Sequence, residues 1–291
     1  MNLIFIHGRG QQEKEAIKER QLWIDAWKKG LEKSGIEFPE EINIIFPFYG
    51  VLLYELKKGK ADPTTLEGII ARGQSSEDLT LYYEILMEIL IERGFAEADV
   101  RGAYGEEIVE RGVLNWSWVR AVARFLDEKS ERIGDFTMGN GTSDVAFYLS
   151  DKFAHKKVNE LVAGAIGDQP CTVVAHSLGS VIAYNVLKVN PVIPVDKLIT
   201  LGSPLGMSVV KRKLSTPLAV PKCLKNGWYN AYDPRDFVPL FPLDDAHFIV
   251  GSGIENSGHV NNDGKDPHDI AGYLSDQAIA KIIYDSLKGN V

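Results

Sequence analysis

The residues with the clearest chemical potential lie around Ser177. The run Thr172-Val173-Val174-Ala175-His176-Ser177-Leu178-Gly179-Ser180-Val181-Ile182-Ala183-Tyr184 reads as a buried strand, a tight turn and an amphipathic helix, with the serine at the apex. Strand and helix backbones crowd together beneath such a serine, so the positions two residues away on either side must be small. Gly179 meets that demand, and Ala175, the next smallest choice, stands where the usual pattern has glycine. The turn aims the backbone N–H of Leu178, together with the positive end of the helix, at negative charge developing on a substrate oxygen. This is the chemistry of a serine nucleophile attacking a carbonyl. A second donor is expected from His7-Gly8-Arg9-Gly10, where glycines let peptide N–H groups point into a cleft; the Arg9 N–H is the candidate.

These residues need a scaffold, and the hydrophobic pattern predicts one. Short continuous apolar runs at 3–6, 42–46, 171–175, 198–201 and 228–232, with a weaker one at 248–250, have the character of strands buried on both faces. Between them lie helical patterns. Residues 16–32 align Leu22, Trp23, Ala26, Trp27 and Leu31 on one face, and Ser143 is the expected cap of a helix running through Leu161. Strands alternating with helices predict an α/β protein with a mostly parallel sheet covered on both faces. The alternation breaks at about residues 55–140, read as a helical cap inserted into a single domain. Within it, nearly every position of residues 79–92 is apolar apart from Glu84, Glu88 and Glu92, which form one stripe, expected to be solvated on a packed helix, with a substrate-facing lid or dimer contact as the other reading. Trp116 and Trp118 are open to the same two readings.

Composition narrows the function. The chain has 291 residues, 45% of them hydrophobic, which is enough for a sizeable core and excludes a disordered or fibrous chain. With 32 Lys+Arg against 40 Asp+Glu, the net charge of -8 argues against nucleic acid as a partner. Two cysteines, Cys171 and Cys223, make no disulfide framework and are expected to pack in the core. No apolar run reaches the roughly 18 residues of a membrane span, the start lacks the pattern of a signal peptide, and a cytoplasmic location is expected. Asp263, Asp266 and Asp269 around Gly264 lack the terminal glutamate of a calcium loop. No zinc spacing or phosphate-binding loop occurs, so no cofactor and no metal is expected.

Together with the serine turn and the His-Gly loop, the stretches Ile199-Thr200-Leu201-Gly202-Ser203-Pro204-Leu205-Gly206 and Trp228-Tyr229-Asn230-Ala231-Tyr232-Asp233-Pro234-Arg235-Asp236-Phe237-Val238-Pro239 resemble those of the α/β-hydrolase superfamily, and within it the lipase and PGAP1-like serine esterases. The resemblance covers the first strand and residues from about 143 onward. It implies an α/β-hydrolase fold and a triad ordered serine, acid, histidine along the chain. His7 then orients its loop, because the base follows the serine. The implied acid lies just past residues 228–232, where Asp236 is preferred because Asp236-Phe237-Val238-Pro239 matches the resemblance, and Asp233-Pro234, a turn-forming pair, leaves Asp233 as the alternative. Two histidines could serve as base. Pro267-His268-Asp269-Ile270-Ala271-Gly272-Tyr273-Leu274 resembles the segment where the base opens the last helix, favouring His268 over His259. The expected activity is cleavage of a small-molecule ester with an acyl or lipid-like group through an acyl-enzyme; a thioesterase, an acyltransferase or a non-catalytic binding protein are the alternatives.

Overall fold

The computed structural model describes residues 1–8, 16–60, 76–104, 116–130, 138–262 and 266–288. Six strands form one parallel sheet in the order β2-β1-β3-β4-β5-β6: β1 Asn2–Ile6, β2 Asn43–Ile45, β3 Cys171–His176, β4 Val195–Leu201, β5 Trp228–Ala231 and β6 Ile254–Ser257. Side chains alternate across each strand, so the apolar runs feed two cores. Leu3, Phe5, Val174, Ile199 and Tyr229 enter one, with Trp23, Trp27 and Leu31 of helix α1 (Ala16–Lys33) and Tyr273, Leu274, Ile279 and Ile283 near the C-terminus. Ile4, Ile6, Val173, Ala175, Leu198 and Trp228 enter the other. Burial on both faces is why these strands read as continuous rather than alternating apolar runs.

Between β2 and β3 the described residues form helices only: α2 Gly50–Lys60, α3 Ser76–Glu92, α4 Glu97–Tyr104, α5 Trp116–Lys129, α6 Met138–Ser150 and α7 Lys152–Ile166. The buried residues of α3, α5 and α6 belong to the same core as Ile4, Val173 and Trp228 of the sheet. Helix α8 (Leu178–Val189) follows β3, is buried from Leu178 through Leu187, and packs against α7 and against strands β1 and β3. Both cysteines are buried and free, and burial pushes the Cys171 thiol up to about 12, leaving it inert at neutral pH.

Three expectations are corrected. The sixth strand is Ile254–Ser257, not 248–250: Phe248 is an anchor against Tyr184 and Trp228, while β6 is a polar edge whose burial is only partial, so it carries no apolar run. The helix expected from Ser143 to Leu161 is two helices. Ser143 lies inside α6, and the break comes at Asp151, which leaves the helical region of backbone space and accepts the Ala154 N–H at 2.7 Å. The glutamate stripe of α3 is not simply solvated. Glu84 pairs with Arg212 at 2.7 Å, and the Glu88 carboxylate accepts the N–H groups of Ser208 and Val209 at 2.6 and 2.9 Å. Trp118 is fully buried, and the side chain of Trp116 is outside the described residues.

Candidate active site

The strand order reverses direction between β1 and β3. The connection leaving β1 runs through α1 to β2 on one side, while the helical passage returns the chain to β3 on the other. In open parallel sheets a crevice opens at such a point, outside the carboxyl ends of the strands. His7-Gly8 directly follows β1 and Ser177 directly follows β3, so both reach this crevice. Because the sheet is parallel, the residues after β5 and β6 emerge at the same edge, and these carry Asp236 and His268.

Ser177 has φ 53° and ψ -127°, a conformation that L residues avoid. A serine at a helix N-cap ordinarily turns its oxygen back onto the second or third helical N–H. Here it makes no such bond, and the hydroxyl points instead to His268, with Oγ 2.9 Å from Nε2. The turn is braced from below by Ser180, whose Oγ is 2.5 Å from the Ser177 carbonyl oxygen and 2.7 Å from the Ser203 hydroxyl. A Cβ on Gly179 would lie 2.3 Å from the carbonyl oxygens of both Ile6 and His7, so glycine alone lets α8 start this close to β1.

His268 Nδ1 is 2.6 Å from Asp236 Oδ2. A carboxylate can only accept there, so Nδ1 carries the proton and Nε2 presents its lone pair to the Ser177 O–H. The donors that hold Asp236 include His268 Nδ1–H, the Tyr273 hydroxyl at 2.9 Å on the same oxygen, and the Val238 N–H at 3.0 Å on the other. Burial, reinforced by the negative charge of Asp236, raises the Tyr273 phenol well above its ordinary value, which keeps it a donor. Ser177, His268 and Asp236 are all at most 4% exposed. Gly202, at φ +55°, passes so close that a Cβ would lie 3.2 Å from both the His268 ring and Asp236 Oδ2. The arrangement can carry the serine proton to Nε2 as the hydroxyl attacks an electrophile, with the carboxylate stabilising the imidazolium that results.

The alternative residues have other partners. Asp233 pairs with Arg235, Oδ2 to Nη2 at 2.7 Å, and accepts the Arg235 and Asn262 N–H groups, each at 2.8 Å. Its role is to shape the loop that carries the histidine. Asn262 in turn donates from Nδ2 to the carbonyls of Pro267 and Asp269, which flank His268, at 2.8 and 3.0 Å. Burial alone would raise the Asp233 carboxyl, but the Arg235 and backbone donors outweigh it, and the carboxyl lies below its ordinary value. A depressed carboxyl stabilises the fold above its unfolded value, about 3.9, and loses that contribution as pH falls through the lower folded value. Asp233→Asn is therefore expected to cost about 1 to 3 kcal/mol at pH 7. Chemical denaturation should show the gap to the unsubstituted protein narrowing below about pH 4. A gap that stays constant across that range would refute the assignment.

His259 is exposed on the loop after β6. Of the two oxyanion candidates, Leu178 opens α8 directly after Ser177, at the end of a helix where N–H groups lack intrahelical partners, and Arg9 lies outside the described residues. Gly8 is described, and a Cβ there would meet the Ser177 Cβ at 3.1 Å, so the β1 loop abuts the serine. In the aspartate loop, Asp266 accepts the His268 N–H and Asp269 the Ala271 N–H, while Asp263 and Gly264 are outside the described residues.

Several residues at the site carried no signal in the sequence reading. Tyr49 stacks on the His7 ring at 4.0 Å, donates its N–H to His7 Nε2 at 3.2 Å, and donates its hydroxyl to the carbonyls of His7 and Gly8. It thereby holds the loop that faces Ser177, with His7 as its anchor. Arg93, just past α3, donates to the carbonyls of Pro234 and Asp236 and lies over the Phe237 ring. His176 places its ring 4.5 Å from that of His268. Tyr273 belongs to the His268 segment, but nothing in its spacing points to Asp236. Among the described residues no helix is long and apolar enough to cross a membrane, and no cluster of metal-ligating side chains occurs. Compared with protein-family models, with curated proteins and with solved structures, the chain matches none.

Proposed function

We propose that this chain is a serine hydrolase of the α/β-hydrolase type that cleaves carboxylic esters. The observation that carries the reading is the continuous relay from Ser177 Oγ to His268 Nε2, 2.9 Å, and from His268 Nδ1 to Asp236 Oδ2, 2.6 Å. The positive φ of Ser177 and the reversal of strand order beside it support the same reading. His268 takes the serine proton while Oγ bonds to the carbonyl carbon, and the carbonyl electron pair moves to oxygen. The N–H of Leu178 and a donor from the β1 loop, with Arg9 as the candidate, bind that oxyanion. As the intermediate collapses, the C–O bond to the alcohol breaks and His268 protonates the leaving oxygen. Water then attacks the acyl-serine by the same route, releasing the carboxylic acid.

The test is intact-mass analysis after treatment with a fluorophosphonate carrying a short alkyl group. The expected outcome is addition of one phosphonyl group to the protein and none to Ser177→Ala. Folded protein that stays unlabelled would overturn the reading in favour of a ligand-binding module. A panel of oxygen esters and thioesters then separates esterase from thioesterase.

A further inference from the structure

We propose that the acyl group this site accepts is short, of acetyl size, and that Ile85, Ile89 and Val145 are the wall that sets its length. The inference rests on the hydrolase reading and narrows the lipid-like acyl group expected from sequence. Among the described residues, a cavity beside Ser177 has a volume of about 20 Å3, on the scale of the room a single water needs. Its walls include Ile85 and Ile89 from α3, Val145 from α6, and Met207 and Val238 from the loops after β4 and β5, all at most 7% exposed. An acetyl methyl fits such a space. Toward Ile85, Ile89 and Val145, each further methylene has to displace packed side chains, because interiors of this density yield little to overpacking.

The wall is also fastened. The glutamate stripe of α3 runs beside Ile85 and Ile89 and is tied to the segment directly following Met207. Glu88 accepts the Ser208 and Val209 N–H groups, Glu84 pairs with Arg212, and Glu77 pairs with Lys213 at 2.5 Å. Two sides of the cavity, α3 and the Met207 segment, are thus clamped to each other, so α3 cannot swing out to admit a longer chain without breaking these contacts. Val145 is on α6, whose middle is tied to α2 by Lys57 to Asp144, the residue before Val145, at 2.7 Å.

The experiment measures kcat/KM for p-nitrophenyl acetate, butyrate and octanoate, alongside labelling by the short-alkyl fluorophosphonate, on the full chain and on Ile89→Ala and Val145→Ala. A methylene that a pocket cannot seat is worth about 10-fold or more in kcat/KM. The expected result is an unsubstituted protein at least about 10-fold better on acetate than on butyrate, with either variant raising butyrate relative to acetate by about 10-fold. The two variants lie on different helices, so one that fails to fold leaves the other to decide. Labelled protein that hydrolyses octanoate as well as acetate, or folded variants with an unchanged chain-length profile, would overturn the proposal and leave the hydrolase reading standing. Protein that neither labels nor hydrolyses any ester would overturn both.

Discussion

Asp236→Asn is expected to lower kcat/KM for an ester by about 10^4-fold while leaving the fold intact. The argument turns on which oxygens accept which protons. Asp236 offers two acceptor oxygens, and its donors include His268 Nδ1–H and the Tyr273 hydroxyl on Oδ2 and the Val238 N–H on Oδ1. An asparagine has one acceptor and one donor group at these positions. If its oxygen stays with Val238, its NH2 faces His268 and forces the imidazole into the other tautomer. Nε2 then carries a proton and cannot take one from Ser177. If the amide flips, its NH2 opposes the Val238 N–H, and a buried donor is left facing a donor, at about 1 to 3 kcal/mol. Steady-state kinetics, with the melting temperature as a check on folding, decides the matter. Asp233→Asn provides the internal comparison. That carboxylate bonds Arg235 and the loop backbone rather than the imidazole, so its loss should cost no more than about 10-fold in kcat/KM. Equal losses from the two substitutions would sink this division of roles.

Gly179→Ala is expected to destabilise the protein by on the order of 3 to 5 kcal/mol, lowering the melting temperature by about 6 to 10 °C. Helix propensity alone predicts the opposite, since alanine is favoured over glycine by about 1 kcal/mol within a helix. Contact decides the sign. The added Cβ would sit 2.3 Å from two carbonyl oxygens of β1 and its exit, backbone atoms of a strand that is paired on both sides by β2 and β3. Neither the strand nor α8 can move without shifting Ser177, so labelling by the fluorophosphonate should slow as well. Gly164, near the end of α7, is the control. A Cβ there meets nothing within 4 Å, so propensity acts unopposed and Gly164→Ala should stabilise by about 0.5 to 1 kcal/mol. Thermal melts of the two variants that moved in the same direction would show that close approach at Gly179 is not what demands glycine.

The residue pattern by itself determined the α/β alternation, five of the six strands, and the strand-turn-helix that turns Ser177 outward. These are local properties: an apolar run of strand length buried on both faces, a small residue where two backbones cross, a helix face repeating every three to four residues. It also pointed to Asp236 and His268, through residues that resemble those of a known superfamily, but left Asp233 and His259 beside them. Only the tertiary structure chose which of each pair contacts the relay. Two strands lie between residues 177 and 236 and three between 177 and 268, and hydrogen bonding across such distances depends on strand order, which no local pattern encodes. The same reason accounts for what was misjudged. Glu84 and Glu88 look like a solvated stripe until the segment after Met207 is folded against them, and β6 looks like loop because an edge strand with polar faces has no burial to advertise. Tyr49 and Tyr273 look like ordinary core aromatics. Their hydroxyls acquire a role only when the fold brings the carbonyls of His7 and Gly8 to one and the Asp236 carboxylate to the other, because a hydrogen bond is made by positions in space that the chain reaches from distant points in its sequence.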